Sequence, residues 1–229
     1  MKSFNQLLKL LVLITLFSSC EKDEIKTTPL TSLNIVNAIS DGQSVRLGSN
    51  TTVIPNNANG QMALVAGSND LYIWPVEDST HPYYTSNKFE TNEGEVYSLF
   101  LTGDTTAVES IILKETIPYR TDSIAGIRFI NLSPNSAPLN ITLSTSPTTN
   151  EVSDLAYKQY TEFKSYPGLY NSTYTFQVRD ASTQDPAPPL AEFTFYEWDI
   201  PRFANVTLVI RGKVGEEPIL GITRVNNDR

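Results

Sequence analysis

The chain has 229 residues, 25 acidic against 17 basic, for a net charge of −8, with one histidine and one cysteine. That balance argues against nucleic acid as a partner, because phosphate binding runs on neutralisation by Lys and Arg. One cysteine excludes an intrachain disulfide, and one His with one Cys makes no zinc ligand set. No metal and no other cofactor is expected.

Residues 1–19 read as a secretory signal that is removed. Lys2 and Lys9 give a basic start, residues 10–17 an apolar run broken only by Thr15, and Ser18 and Ser19 a small-residue approach to Cys20. The run is too short to span a bilayer, which takes about 20 residues. "FSSC" resembles the lipobox of bacterial lipoprotein signals in its Bacteroidetes-like form. The resemblance implies cleavage before Cys20, acylation of Cys20 and anchoring to a membrane by several acyl chains. Lys22-Asp23-Glu24 resembles the Lys-(Asp/Glu)₂ export signal of surface lipoproteins in the same group, which implies exposure on the outer leaflet of the outer membrane. Loss of Lys2 and Lys9 takes the 17 basic residues to 15 against 25 acidic ones, a charge of about −10.

Residues 20–30 form a polar, lipidated, flexible tether. From Thr31 the texture changes to short runs of Val, Ile, Thr, Tyr and Phe broken by Asn, Asp, Gly, Ser and Pro, which is strand composition. The fourteen prolines are scattered and disfavour long helices. Residues 154–163 fit either a helical turn or a strand.

Three segments recur in the same order. "LNIVNAISDGQSVRL" (33–47) matches "IRFINLSPNSAPLNITL" (127–143), with Val36-Asn37 opposite Ile130-Asn131. "GSNDLYIWPVED" (67–78) matches "GLYNSTYTFQVRD" (168–180). "EVYSLFLTG" (95–103) matches "NVTLVIRG" (205–212), each strand running into a glycine, Gly103 and Gly212. The order predicts two tandem copies of one unit: an all-β fold with a β-sandwich domain over 31–117, a linker over 118–124 and a second sandwich over 125–229. "VTLVIR" (206–211) is apolar at nearly every position, which suits a strand covered on both faces, whereas Phe176 and Val178 alternate with Gln177 and Arg179. A single large β-barrel is the structural alternative.

This order of motifs resembles the DUF4397 family of extracellular, often lipid-anchored, bacterial domains. The resemblance covers nearly all of 31–227 and implies tandem immunoglobulin-like sandwiches; it carries over no catalytic residues. The first copy departs from the pattern in a long insert, residues 77–94.

Little in the chain points to catalysis. A Ser-His-acid triad would have to use His81, beside Pro82, and no Gly-x-Ser-x-Gly elbow is present. A pair of carboxylates for glycan chemistry is the less favoured alternative. Binding is better supported. Trp74, Tyr83 and Tyr84 gather in "YIWPVEDSTHPYY" and Tyr196 and Trp198 in "FTFYEWDIPRF", aromatic faces suited to a sugar ring or a protein partner. The two clusters are expected in comparable places of the two copies. Ser79, Thr105 and Ser123 each follow an aspartate in a pattern that resembles the O-glycosylation motif of Bacteroidetes secreted proteins. The expected function is a non-catalytic binding or adhesion module for a glycan or partner protein, or else an architectural piece of a surface assembly.

Overall fold

The computed structural model describes residues 27–183 and 186–227. The expected signal segment 1–19, Cys20, Lys22, Asp23 and Glu24 lie outside the described residues. Among those described there is no helix; the regular structure is β throughout. The first half contributes β1 (Leu30–Asn37), β2 (Val45–Leu47), β3 (Ala58–Val65), β4 (Gly67–Pro75), β5 (Tyr84–Thr91), β6 (Val96–Asp104) and β7 (Ala107–Lys114). The second contributes β8 (Ile124–Asn131), β9 (Leu139–Leu143), β10 (Ser146–Leu155), β11 (Lys164–Pro167), β12 (Tyr174–Asp180), β13 (Ala191–Phe195), β14 (Asn205–Arg211) and β15 (Gly221–Asn227).

The strands form four open sheets, not one closed barrel: β3-β1-β6-β7, β2-β4-β5, β11-β8-β14-β15 and β10-β9-β12-β13. The pairing of the first half recurs in the second. β1 runs antiparallel to β3 and parallel to β6, and β8 runs antiparallel to β11 and parallel to β14. β2-β4-β5 has its counterpart in β9-β12-β13, with β10 added at the outside. Each sheet pair encloses its own core. Leu33, Ile35, Leu71, Ile73, Leu99 and Leu101 fill the first; Ile127, Phe129, Phe176, Phe195, Leu208 and Ile210 fill the second.

A third apolar cluster lies between the halves. Val36 and Phe100 meet Ile130, Leu132, Val209 and Val225 there. This explains the strand expected to be covered on both faces. In β14, Val206, Leu208 and Ile210 enter the second core, while Val209 points the other way into the junction. In β12, Phe176 and Val178 are inward; on the other side Gln177 is half-buried and bonds Glu192 across the strand pair at 2.5 Å, while Arg179 is buried against Thr142.

Local devices repeat as well. Asn37 and Asn131 end β1 and β8, both fully buried. Their carbonyls accept the amides of Asn57 (2.8 Å) and Lys158 (2.7 Å), two residues held in the left-handed region at φ 59° and 64°. Gly103 and Gly212 take φ 84° and 85°, and a Cβ would come within 2.3 Å of the Ala107 carbonyl oxygen or 2.5 Å of that of Ile219, so only glycine fits.

One expectation needs correction and one open stretch is resolved. Residues 77–94 are not an insert: they contain β5, whose counterpart is β13, and the β4–β5 connection (76–83) is shorter than the β12–β13 connection (181–190). The undecided stretch 154–163 ends β10 at Leu155, turns, and returns with Tyr160 bridged to Ile130. The tether's last residues are tied down, with Ala66 donating to the Pro29 carbonyl at 2.9 Å. The linker is held too: the Arg120 Nε donates to Asn205 Oδ1 at 3.0 Å, and Asn205 Nδ2 to the Pro118 carbonyl at 2.8 Å.

Candidate ligand-binding surface

Two loops at the start of β8 and β14 build an exposed aromatic surface. One joins β11 to β12 (168–173), the other β13 to β14 (196–204). Arg202 ties them together: its Nε donates to the Gly168 carbonyl at 2.5 Å and its Nη2 to that of Leu169 at 3.1 Å. Gly168 donates to the Ser123 carbonyl (2.6 Å) and Phe203 to that of Ile124 (3.1 Å), so both loops are fastened to the first strand of the second half.

In the second loop the backbone turns on Tyr196, whose carbonyl accepts the amides of Asp199 and Ile200. Ile200 is drawn into the second core. Asp199 is fixed by Arg224, Nη1 to Oδ1 at 2.5 Å. With Ile200 inward, Trp198 is left outward, 76% exposed, and stacks on Tyr196 at 4.9 Å between ring centres and 5° between planes. Phe203 is 58% exposed at φ 60°, an unusual backbone for a bulky residue. Tyr170, 84% exposed, closes a shallow cleft of about 300 Å³ with Glu197, Trp198 and Arg202.

Trp74, Tyr83 and Tyr84 are elsewhere. Trp74 is half-buried, with its Nε1 donating to the Gly48 carbonyl at 3.0 Å; Tyr83 and Tyr84 pack on the first core, and burial pushes the Tyr83 hydroxyl pKa up. They flank the β4–β5 connection, whereas Tyr196 and Trp198 sit in the β13–β14 loop, whose counterpart is β5–β6. The two aromatic clusters therefore occupy opposite ends of equivalent sheet pairs, not comparable places. The equivalent loops differ because the β5–β6 turn spans only residues 92–95 and is closed by Glu95 on Asn92. Tyr170, Glu197 and Arg202 are members of the surface that the sequence reading missed. The available signal was "GLYNS", two large apolar residues beside a turn asparagine.

His81 forms no relay with Asp78 and Thr80. Asp78 Oδ2 sits 2.6 Å from His81 Nδ1, and Thr80 Oγ1 lies 3.1 Å from the same nitrogen. A relay needs the acid on one ring nitrogen and the hydroxyl on the other. The Thr80 hydroxyl, then His81, holds the Asp78 carboxyl well below the usual range. Asp104 is lowered likewise, first by the Thr106 hydroxyl. Ser79 and Thr105 are exposed at the middle of these Asp-x-Thr turns, and Asp180 makes the same turn with Ser182. Ser123 is half-buried, with its carbonyl engaged by Gly168. Among the described residues no cluster of three or more His, Cys, Asp or Glu is placed to hold a metal ion. No helix of the described residues is long and apolar enough to cross a membrane.

No protein-family model matches the chain, and no curated protein matches it.

Proposed function

We propose that this protein is a lipid-anchored module of a bacterial outer surface, of DUF4397 type, that acts by binding rather than by catalysis. Acyl chains on Cys20 hold it, Lys22-Asp23-Glu24 directs it outward, and two tandem immunoglobulin-like units carry a contact surface built on Tyr170, Tyr196 and Trp198. The carrying observation is the exposure of Trp198, stacked on Tyr196, in a chain whose other tryptophan is half-buried. Contiguous exposed apolar surface of this kind marks a site of interaction.

Support for the tandem reading comes from the recurrence of strand pairing between the halves. Asp78, Glu95, Asp104 and Glu109 are each held below the usual carboxylate range by neighbouring hydroxyl or ammonium groups, so none of these four is poised as a general acid at neutral pH. A glycan would stack on the open tryptophan face, a protein would bury the same rings as anchors, and a bilayer would cover them at its interface. The architectural alternative draws on β7, an outer strand of eight residues whose outer edge could accept a partner's strand.

The test has two parts. Mass spectrometry of the native protein's N-terminal peptide should find acylated Cys20 as the first residue; an unmodified peptide that retains residues 1–19 overturns the anchor. Cells carrying wild type, Trp198→Ala or Trp74→Phe are then compared for retention on surfaces coated with glycan, protein or lipid. Loss confined to Trp198→Ala supports the contact surface, and equal retention of all three on every coating overturns it.

A further inference from the structure

We infer that the partner of the aromatic surface is the bilayer that holds the Cys20 acyl chains: Leu169, Tyr170, Trp198 and Phe203 seat in its headgroup region, and the molecule stands on that end. The inference rests on the lipid-anchored reading above and names what its contact surface covers.

Glu115 donates its amide to the Val96 carbonyl at the start of β6, and its carboxylate grips Arg128 in the middle of β8. Further along, Thr102 of β6 donates to the Leu132 carbonyl just past β8 at 2.9 Å. So β6 and β8 run the same way in facing sheets, and with them their parallel partners β1 and β14. Leu30, the first residue of β1, accepts the amide of Gly94 just before β6; Ile124, the first of β8, accepts that of Phe203. The point where the chain enters the fold and the aromatic loops therefore share one end.

Cys20 and Leu30 are ten residues apart. Even fully extended, ten residues span at most about 35 Å. An acylated Cys20 thus holds the entry point of the fold within about 35 Å of the lipid, so this end can rest on it.

Leu30, Tyr119, Leu169, Tyr170, Trp198 and Phe203 are all exposed at this end, from both halves of the chain. At the other end the exposed large apolar residues Val53, Tyr160 and Ile219 stand in separate connections. Tryptophan and tyrosine collect where hydrocarbon meets water, and an acyl anchor is made firm by a second contact. A sugar site would need convergent polar groups awaiting hydroxyls. Here Arg202 is committed to two backbone carbonyls and Asp199 to Arg224, which leaves Glu197 as a single carboxylate beside the rings rather than a convergent set.

The two tryptophans supply the test, because β4 carries Trp74 away from this end: it lies seven residues beyond Gly67, about 23 Å along the strand. The full chain is purified with its acyl chains and reconstituted in vesicles of phosphatidylethanolamine and phosphatidylglycerol, some with acyl chains brominated near the headgroup. Trp74→Phe leaves Trp198 as reporter, and Trp198→Phe leaves Trp74. The expected result is that brominated lipid quenches Trp198 and aqueous iodide does not, with the reverse for Trp74. Trp198 open to iodide and unquenched by lipid, in protein that floats with the vesicles, overturns the inference. If a glycan then shields Trp198 from iodide, the surface is a glycan site and the contact-surface reading survives. Protein that does not float with the vesicles overturns the inference and the anchor together.

Discussion

Arg128 and Glu115 form a buried bidentate ion pair at the junction of the two halves, Nη1 to Oε2 at 2.7 Å and Nη2 to Oε1 at 2.5 Å, with the side chains 5% and 1% exposed. The guanidinium is engaged on every side. Its Nε donates to Thr207 Oγ1 at 2.7 Å, Thr207 donates on to Asn227 Oδ1, and the Phe163 ring lies 4.6 Å from the guanidinium carbon. Removing one partner leaves a buried charge without its counter-ion, which costs about 3–5 kcal/mol, while replacing both with apolar groups of similar size is often neutral. Glu115→Gln should therefore lower the urea midpoint sharply, and Glu115→Leu with Arg128→Met should recover most of the loss. A double variant as unstable as the single one would mean that the pair itself, not its imbalance, holds the junction.

The apolar cluster of Val36, Phe100, Ile130, Leu132, Val209 and Val225 makes the halves share a core as well as an ion pair. Units that share a core of this size are expected to unfold together. Scanning calorimetry of wild type should give one transition. Phe100→Ala, which opens a cavity in that core, should cost about 3–5 kcal/mol. Two resolved transitions in wild type would show that the halves are independent.

What the sequence makes legible is what burial writes into it. The both-faces strand at 206–211 reads plainly because both of its sides are core. The duplicated glycines read plainly because backbone geometry requires them, and the duplicated asparagines because their buried side chains bond the neighbouring backbone. β5 is illegible for the opposite reason. In "YTSNKFET" only Phe89 and Thr91 are buried, so an outer strand wetted along most of its length looks like an insert. The aromatic surface is half legible. Tyr196 and Trp198 lie two positions apart in sequence, but Tyr170 is brought to them by the bond of Arg202 to Gly168, a contact across 34 positions. Which end a loop occupies depends on the direction of strands, and periodicity carries no direction.

Asn37 and Asn131 occupy equivalent places with unequal partners. Asn131 donates from Nδ2 to the Leu155 carbonyl and to Ser136 Oγ, each at 3.0 Å, and its Oδ1 accepts the Ser133 amide at 3.0 Å. Asn37 donates to the Gln43 carbonyl at 2.8 Å and marginally to that of Ile54 at 3.5 Å, and its buried Oδ1 has no partner. A buried polar group left unsatisfied costs about 1–3 kcal/mol. Asn131→Ala strands the Ser133 amide and the Leu155 carbonyl, whereas Asn37→Ala also removes an acceptor that is already unsatisfied. Asn131→Ala should be the more destabilising of the two by denaturant titration, and the reverse order would contradict this assignment of partners.

Glu95 closes the β5–β6 turn and should make the fold sensitive to acid. The Lys114 ammonium first, then the side chain and amide of Asn92 and the Tyr97 hydroxyl, pull its carboxyl from the ordinary 4.5 down to about 2. A folded-state value below the unfolded one means the stabilisation is fully present above pH 4.5 and is lost as pH falls through about 2. Glu109 is lowered in the same direction, chiefly by Lys158, so the slope is shared. Melting temperatures of wild type and Glu95→Gln, measured from pH 7 to pH 2, should differ by a constant amount down to about pH 4.5 and converge below it. A gap that persists unchanged at pH 2 would assign the effect of the substitution to lost packing rather than to the ionised carboxylate.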